Sequence, residues 1–190
     1  MAEGILAARM KALGLSGQVH SAGLLRAGQP ASASSVDLLA QRGIDASGHR
    51  STTMTARLLD ESDLVVGMAR EHVREAVVTA PGCWPYAFTL KELVRRATDI
   101  GPRCAGQSVS DWLAALHAGR RTADLMGSST ADDVADPIGQ HRSVYVAMVD
   151  EVEGLVDSLC RLLWAPESAQ AAGAAPGAGN KAATREGSRP

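Results

Sequence analysis

Aromatic residues are the scarcest part of this chain: one Phe, two Tyr and three Trp in 190 residues. Its core must therefore be built from Leu, Val, Ile, Ala and Met. Cysteine is also rare. Cys83, Cys104 and Cys160 are odd in number and widely spaced, which excludes a disulfide framework and any metal-ligand pair of cysteines. Reduced thiols and a cytoplasmic setting are expected. No apolar run reaches the roughly 18 residues of a membrane span. The N-terminus lacks a basic region followed by an apolar one, so it does not read as a signal peptide. Neither charge dominates: 19 Lys and Arg face 21 Asp and Glu, for a net charge of −2. That balance carries no nucleic-acid signature, and the pairs Arg95-Arg96 and Arg120-Arg121 are too short and isolated to make a basic stripe. Nucleotide P-loop, dinucleotide glycine fingerprint and metal-ligand cluster are all missing from the sequence, so no cofactor or metal is expected.

What is present reads as one globular domain with a disordered tail. Ala2, Ile5, Leu6, Met10 and Leu13 recur at helical spacing, and Gly14 stops that helix. Residues 18–21 are a short strand candidate. Residues 35–42 form a helix with Ser34 or Ser35 as N-cap and Gly43 past its end. The apolar run 63–68 fits a strand covered on both faces. A helix over 70–78, a short strand candidate over 84–89 and a helix over 90–97 follow. Residues 98–107 are turn-rich. Ser108 to Gly119 is helical, with Trp112, Leu113 and Leu116 on one side, and residues 120–135 are a polar loop. The longest helix, 141–164, carries Val144, Met148, Val152, Leu155, Leu159 and Leu162 as its apolar stripe. From residue 165 to 190, small and charged residues without periodicity predict disorder. Helices alternating with short strands define an α/β fold around a parallel sheet.

Chemistry is sparse on these elements. Asp136-Pro137 ends a polar loop, and the proline biases Asp136 to an extended conformation that presents its carboxylate at a fixed angle. The same pair also serves as an ordinary turn initiator, and Asp132 and Asp133 are competing acids. His20, His49, His72, His117 and His141 are scattered. Phosphoryl transfer through cysteine requires a thiolate and a guanidinium that grips the phosphate bidentately, as a Cys and an Arg separated by five residues provide. The residues at that spacing after Cys83, Cys104 and Cys160 are Thr89, Ser110 and Pro166, so these 190 residues contain no such motif.

Taken in order, Met1-Ala2-Glu3-Gly4-Ile5-Leu6 on the opening helix, Val19-His20-Ser21-Ala22-Gly23, Gly43-Ile44-Asp45-Ala46-Ser47-Gly48-His49-Arg50 and Ala135-Asp136-Pro137 resemble the low-molecular-weight protein tyrosine phosphatases. The resemblance covers roughly residues 1–98 and 131–164, with about 99–130 as an insertion. It implies a three-layer α/β domain over 1–164, of the phosphotyrosine phosphatase I-like type, with its first strand missing. In that family a strand and a catalytic loop, a Cys, five residues and an Arg followed by Ser-Pro, lead into the first helix. Met1 stands where the residue after Ser-Pro would be, and the expectation is a natural protein that continues upstream. Ser21 and His49 match residues that support the catalytic loop. Asp136 matches the general acid, which protonates the departing phenolate and then activates water against a cysteinyl-phosphate. The implied partner is a phosphorylated protein or a small phosphoester. Ile138 departs from the family pattern, since tyrosine-specific members carry an aromatic residue after Asp-Pro, and this leaves other phosphoesters or phosphoarginine open. Arsenate reductases share the fold but need further redox cysteines, which have no evident match here. Without thiolate and guanidinium the 190 residues are predicted inactive; the alternative is a binding module that keeps the scaffold without the nucleophile.

Overall fold

The computed structural model describes residues 1–24, 26–126 and 130–164. In chain order the elements are α1 (Ala2–Ala12), α2 (Ala33–Ala40), α3 (Ala56–Asp60), β1 (Val65–Gly67), α4 (Arg70–Thr79), a 3-10 helix over Pro81–Tyr86, β2 (Ala87–Thr89), α5 (Leu90–Ile100), α6 (Val109–His117), a 3-10 turn over Thr122–Leu125 and α7 (Arg142–Leu163).

β1 and β2 pair in parallel, with Val65 opposite Ala87, Val66 opposite Phe88 and Gly67 opposite Thr89. Successive strand residues point to opposite faces, and here each face has its own core. Val66 and Phe88 pack with Ile5, Leu38, Leu93, Leu113 and Val152, contributed by α1, α2, α5, α6 and α7. Val65 and Ala87 pack with Leu59, Val73 and Ala76 from α3 and α4. Helices therefore cover both faces of the sheet, which is the α/β layering the sequence predicts.

Side-chain caps set several helix starts. Thr89 closes β2 and opens α5, its hydroxyl accepting the Glu92 N–H at 3.1 Å. Ser108 does the same for α6 through Asp111 N–H at 3.0 Å. Gly67 turns the chain from β1 toward α4 in close quarters: a Cβ there would stand 2.9 Å from Val73 Cγ2 and 3.1 Å from the Ala69 carbonyl oxygen.

Four local expectations need correction. Residues 18–21 form no strand; pairing is limited to a single parallel bridge, Gly23 with Thr53. The stretch holds one apolar side chain, Val19, too little burial to fix a strand. The strand expected within 84–89 begins only at Ala87, because Pro85 cannot donate to a ladder and the chain there is a 3-10 helix. The second helix starts two residues early, with Ser32 rather than Ser34 or Ser35 accepting the Ser35 N–H. In α7 the buried face runs through Val149, Val152, Val156, Leu159, Cys160 and Leu163. Val144, Met148, Leu155 and Leu162 flank it, half-buried. The short α3, capped by Thr55, was not anticipated. The tail expected to be disordered, 165–190, lies outside the described residues.

Candidate functional site

Two of the three residues singled out in the sequence converge, through a third that was overlooked. Glu3 sits in the first turn of α1. Ser21 Oγ donates to Glu3 Oε2 at 2.6 Å, and His49 Nδ1 lies 3.3 Å from the same oxygen. One carboxylate thus ties together α1, the irregular segment ending at Gly23 and the loop after α2. That loop is shaped by its own residues. Gly43, at φ +73°, ends α2. Asp45 accepts the Ser47 N–H at 2.9 Å, a bond that lowers the Asp45 pKa. Arg50 Nη1 returns to the His49 carbonyl at 2.7 Å.

Glu3, Ser21 and His49 line an open pocket of about 120 Å³, together with His20, Arg50 and Thr52. The start of α1 beside it has no side-chain cap. Its first-turn N–H groups and the positive end of its dipole favour an anion there.

Asp136 lies elsewhere. It is exposed and lines neither this pocket nor the second one described below. Its Oδ1 accepts the Ile138 N–H at 3.0 Å, an Asx-type turn in which the other carboxylate oxygen meets no donor among the described residues. The loop leading to it is anchored at the carboxyl end of β1. Val134 N–H donates to the Met68 carbonyl at 2.8 Å, and Val134 is buried in the core. Asp133 Oδ1 accepts the Arg70 N–H at 2.7 Å, and Asp132 meets Arg95 at 3.0 Å. The two competing acids are therefore engaged in holding the loop.

The two buried cysteines offer no nucleophile. Burial, then Asp60, raises the Cys83 pKa; burial, then Asp157, raises that of Cys160. A buried thiol held protonated is inert. Among the described residues no group of His, Cys, Asp and Glu could hold a metal ion, and no helix is long and apolar enough to cross a membrane.

Glu3 went unnoticed in the sequence because an acidic residue in a first helical turn is ordinary dipole compensation. The only signal was its spacing from Met1 on a helix already suspected of facing a phosphate.

A layered α/β domain with a parallel sheet, an uncapped helix start beside a polar pocket and an Asp-Pro loop at a strand's carboxyl end defines the class. Comparison with known proteins defines the family. A family model described as low molecular weight phosphotyrosine protein phosphatase matches residues 1–99. A probable low molecular weight protein-tyrosine-phosphatase, EpsP, from Ralstonia solanacearum is 33% identical over 102 residues, covering 53% of this chain and 70% of that protein. A protein-arginine-phosphatase from Geobacillus stearothermophilus is 29% identical over 147 residues, covering 77% of this chain and 76% of that protein. The crystal structure of a low molecular weight protein tyrosine phosphatase from T. tengcongensis superposes with a TM-score of 0.63 at 32% identity, over 85% of this chain and 88% of that one. The chain belongs to the low molecular weight phosphotyrosine protein phosphatase family.

Proposed function

We propose that this chain supplies the general acid and the loop-supporting residues of a phosphomonoester hydrolase acting on phosphotyrosine through a cysteinyl-phosphate. The thiolate and its guanidinium partner come from a Cys and an Arg separated by five residues that lie outside these 190 residues. The thiolate attacks phosphorus, an S–P bond forms, and the P–O bond to the phenolate breaks. Asp136 gives its proton to the departing oxygen. As carboxylate it then takes a proton from the water that cleaves the S–P bond. Ser21 and His49 hold the catalytic loop in shape. The Glu3 junction carries this reading: the two residues that the family resemblance implies as loop supports meet on one carboxylate at the start of the helix that would follow the phosphate loop. The proposed domain spans 1–164, with about 99–130 as an insertion.

The test is para-nitrophenyl phosphate hydrolysis by the 190-residue chain and by a form extended with its upstream in-frame coding sequence. The shorter chain is inactive. The extended form is active, and Asp136→Ala lowers its kcat by about a hundredfold to ten-thousandfold. Activity in the 190-residue chain that disappears with Asp136→Ala overturns the proposal. A stop codon or unrelated sequence upstream favours a binding module that kept the scaffold without the nucleophile.

Ile138 supports a second reading of the substrate. It is 76% exposed and replaces the aromatic wall of tyrosine-specific members, and a protein-arginine-phosphatase is among the relatives. The ratio of kcat/KM for phosphotyrosine and phosphoarginine peptides decides between the two.

A further inference from the structure

A second pocket, of about 180 Å³, opens at the carboxyl ends of both strands. Arg70, just after β1, and Thr89, the last residue of β2, line it. Open α/β sheets place ligands at this end. Its walls carry the guanidinium groups of Arg70, Arg95, Arg96 and Arg120 against the carboxylates of Glu92, Asp124 and Asp132.

The partners of these groups show where positive charge is left over. Arg120 is saturated. Its Nε and Nη2 take the two Glu92 oxygens at 2.9 and 3.1 Å. Nη2 also donates to the Ala87 carbonyl at 2.7 Å, and Nη1 reaches the Trp84 carbonyl at 3.1 Å and His117 Nδ1 at 3.2 Å. Arg96 Nε shares Glu92 Oε1 at 3.0 Å, so one carboxylate serves two cations. Arg95 is matched by Asp132, and Asp124 is turned to Arg121. Arg70 has no carboxylate partner for its guanidinium among the described residues; its Nη1 donates only to the Asp124 carbonyl at 3.2 Å. Asp133, on the Arg70 backbone N–H, offsets one of the two surplus charges. One uncompensated cation remains. Arg96 Nη1 donates to the Leu116 carbonyl at 3.1 Å; among the described residues, Arg70 Nε and Nη2 and Arg96 Nη2 take no acceptor.

We propose that this pocket is a second anion site, distinct from the Glu3–Ser21–His49 pocket, which takes a phosphate dianion through the free donors of Arg70 and Arg96. The fork of a guanidinium matches phosphate oxygens in pairs, and the phosphate is either a free ion or one carried on a phosphorylated protein. The site stands independently of the hydrolytic reading, because it needs neither the nucleophile nor Asp136.

The experiment is a titration of the isotope-labelled 190-residue protein with inorganic phosphate at constant ionic strength, observed by NMR. The reporter is the Trp84 indole N–H, assigned with Trp84→Phe. The expected result is a saturable shift of that signal. Arg70→Gln keeps the backbone bond to Asp133 and weakens the binding by roughly tenfold or more, the loss of a charge-assisted hydrogen bond. Arg70→Lys, which keeps the charge without the fork, falls between the two. A phosphoserine peptide run beside inorganic phosphate identifies the source: tighter binding of the peptide assigns the site to a protein-borne phosphate, and equal binding to the free ion. Absence of a saturable shift at tens of millimolar phosphate overturns the proposal. So does a saturable shift that Arg70→Gln leaves unchanged.

Discussion

Arg120 shows how little a sequence reveals about a single charged residue. It reads as half of an exposed basic pair, yet its side chain is 1% exposed. Its guanidinium carbon lies 3.8 Å from the Trp84 ring centroid and 4.0 Å from that of Phe88. Two of the few aromatic side chains in the chain are thus committed to one cation. Removing one member of a buried ion pair leaves the other charged and unmatched. Arg120→Ala is expected to cost about 3–5 kcal/mol in urea unfolding, and Arg120→Met less, because it keeps the stem between the rings. A loss under about 1 kcal/mol for the alanine variant would show that Arg96 alone satisfies Glu92. His117 belongs to the same cluster, edge-on to Trp84 at 5.3 Å. Burial, then Arg120 and Arg96, pulls its pKa below the ordinary 6.5. The folded state then binds fewer protons than the unfolded chain, so stability is complete above about 6.5 and falls as the pH drops through the lowered folded value. Thermal unfolding from pH 7.5 to 5 should show this decline, and His117→Gln should flatten it. An unchanged slope in the variant assigns the decline to other groups.

At the scale of elements, what could be read depended on how local the physics is. Helices α5, α6 and α7 were legible because apolar periodicity acts within one or two turns, whereas their Thr89 and Ser108 caps emerged only in the structure. Asp136 was visible for the same reason, through the proline beside it. The sheet was harder. The parallel partners of Val65 to Gly67 lie more than twenty residues on, and over 84–89 too little weight fell on Pro85, which holds the strand back to its last three residues. Ser21 and His49 stood out only through the family resemblance, and the Glu3 carboxylate that joins them did not stand out at all. Gly67 is a further element-level feature hidden in sequence. It permits β1 to meet α4, and any Cβ there would press on buried Val73. Gly67→Ala is expected to destabilise by about 1–3 kcal/mol, and adding Val73→Ala should recover part of that loss. If the double variant is less stable by the full sum of the two single losses, the Gly67–Val73 approach is not the cause.

Among the described residues, two cores are separated by a sheet of two strands, and the cysteines report on each. Cys160 is buried in the larger core and Cys83 in the smaller one, while Cys104 is exposed. Adjacent residues of β2, Ala87 and Phe88, belong to opposite cores, so neither layer can be lost without stripping one face of the same strand. That arrangement predicts a single cooperative unit. Under native conditions a thiol reagent should modify exposed Cys104 first. Cys83 and Cys160 should react only through opening, and at opening free energies that agree. Leu59→Ala makes the argument sharp. Leu59 is buried in the smaller core alone, and its truncation is expected to cost about 2–5 kcal/mol. If the sheet couples the layers, Cys160 on the far side speeds up by the same factor as Cys83. Acceleration confined to Cys83 would mean that α3 and α4 open by themselves, and that β1 and β2 are held chiefly by the larger core.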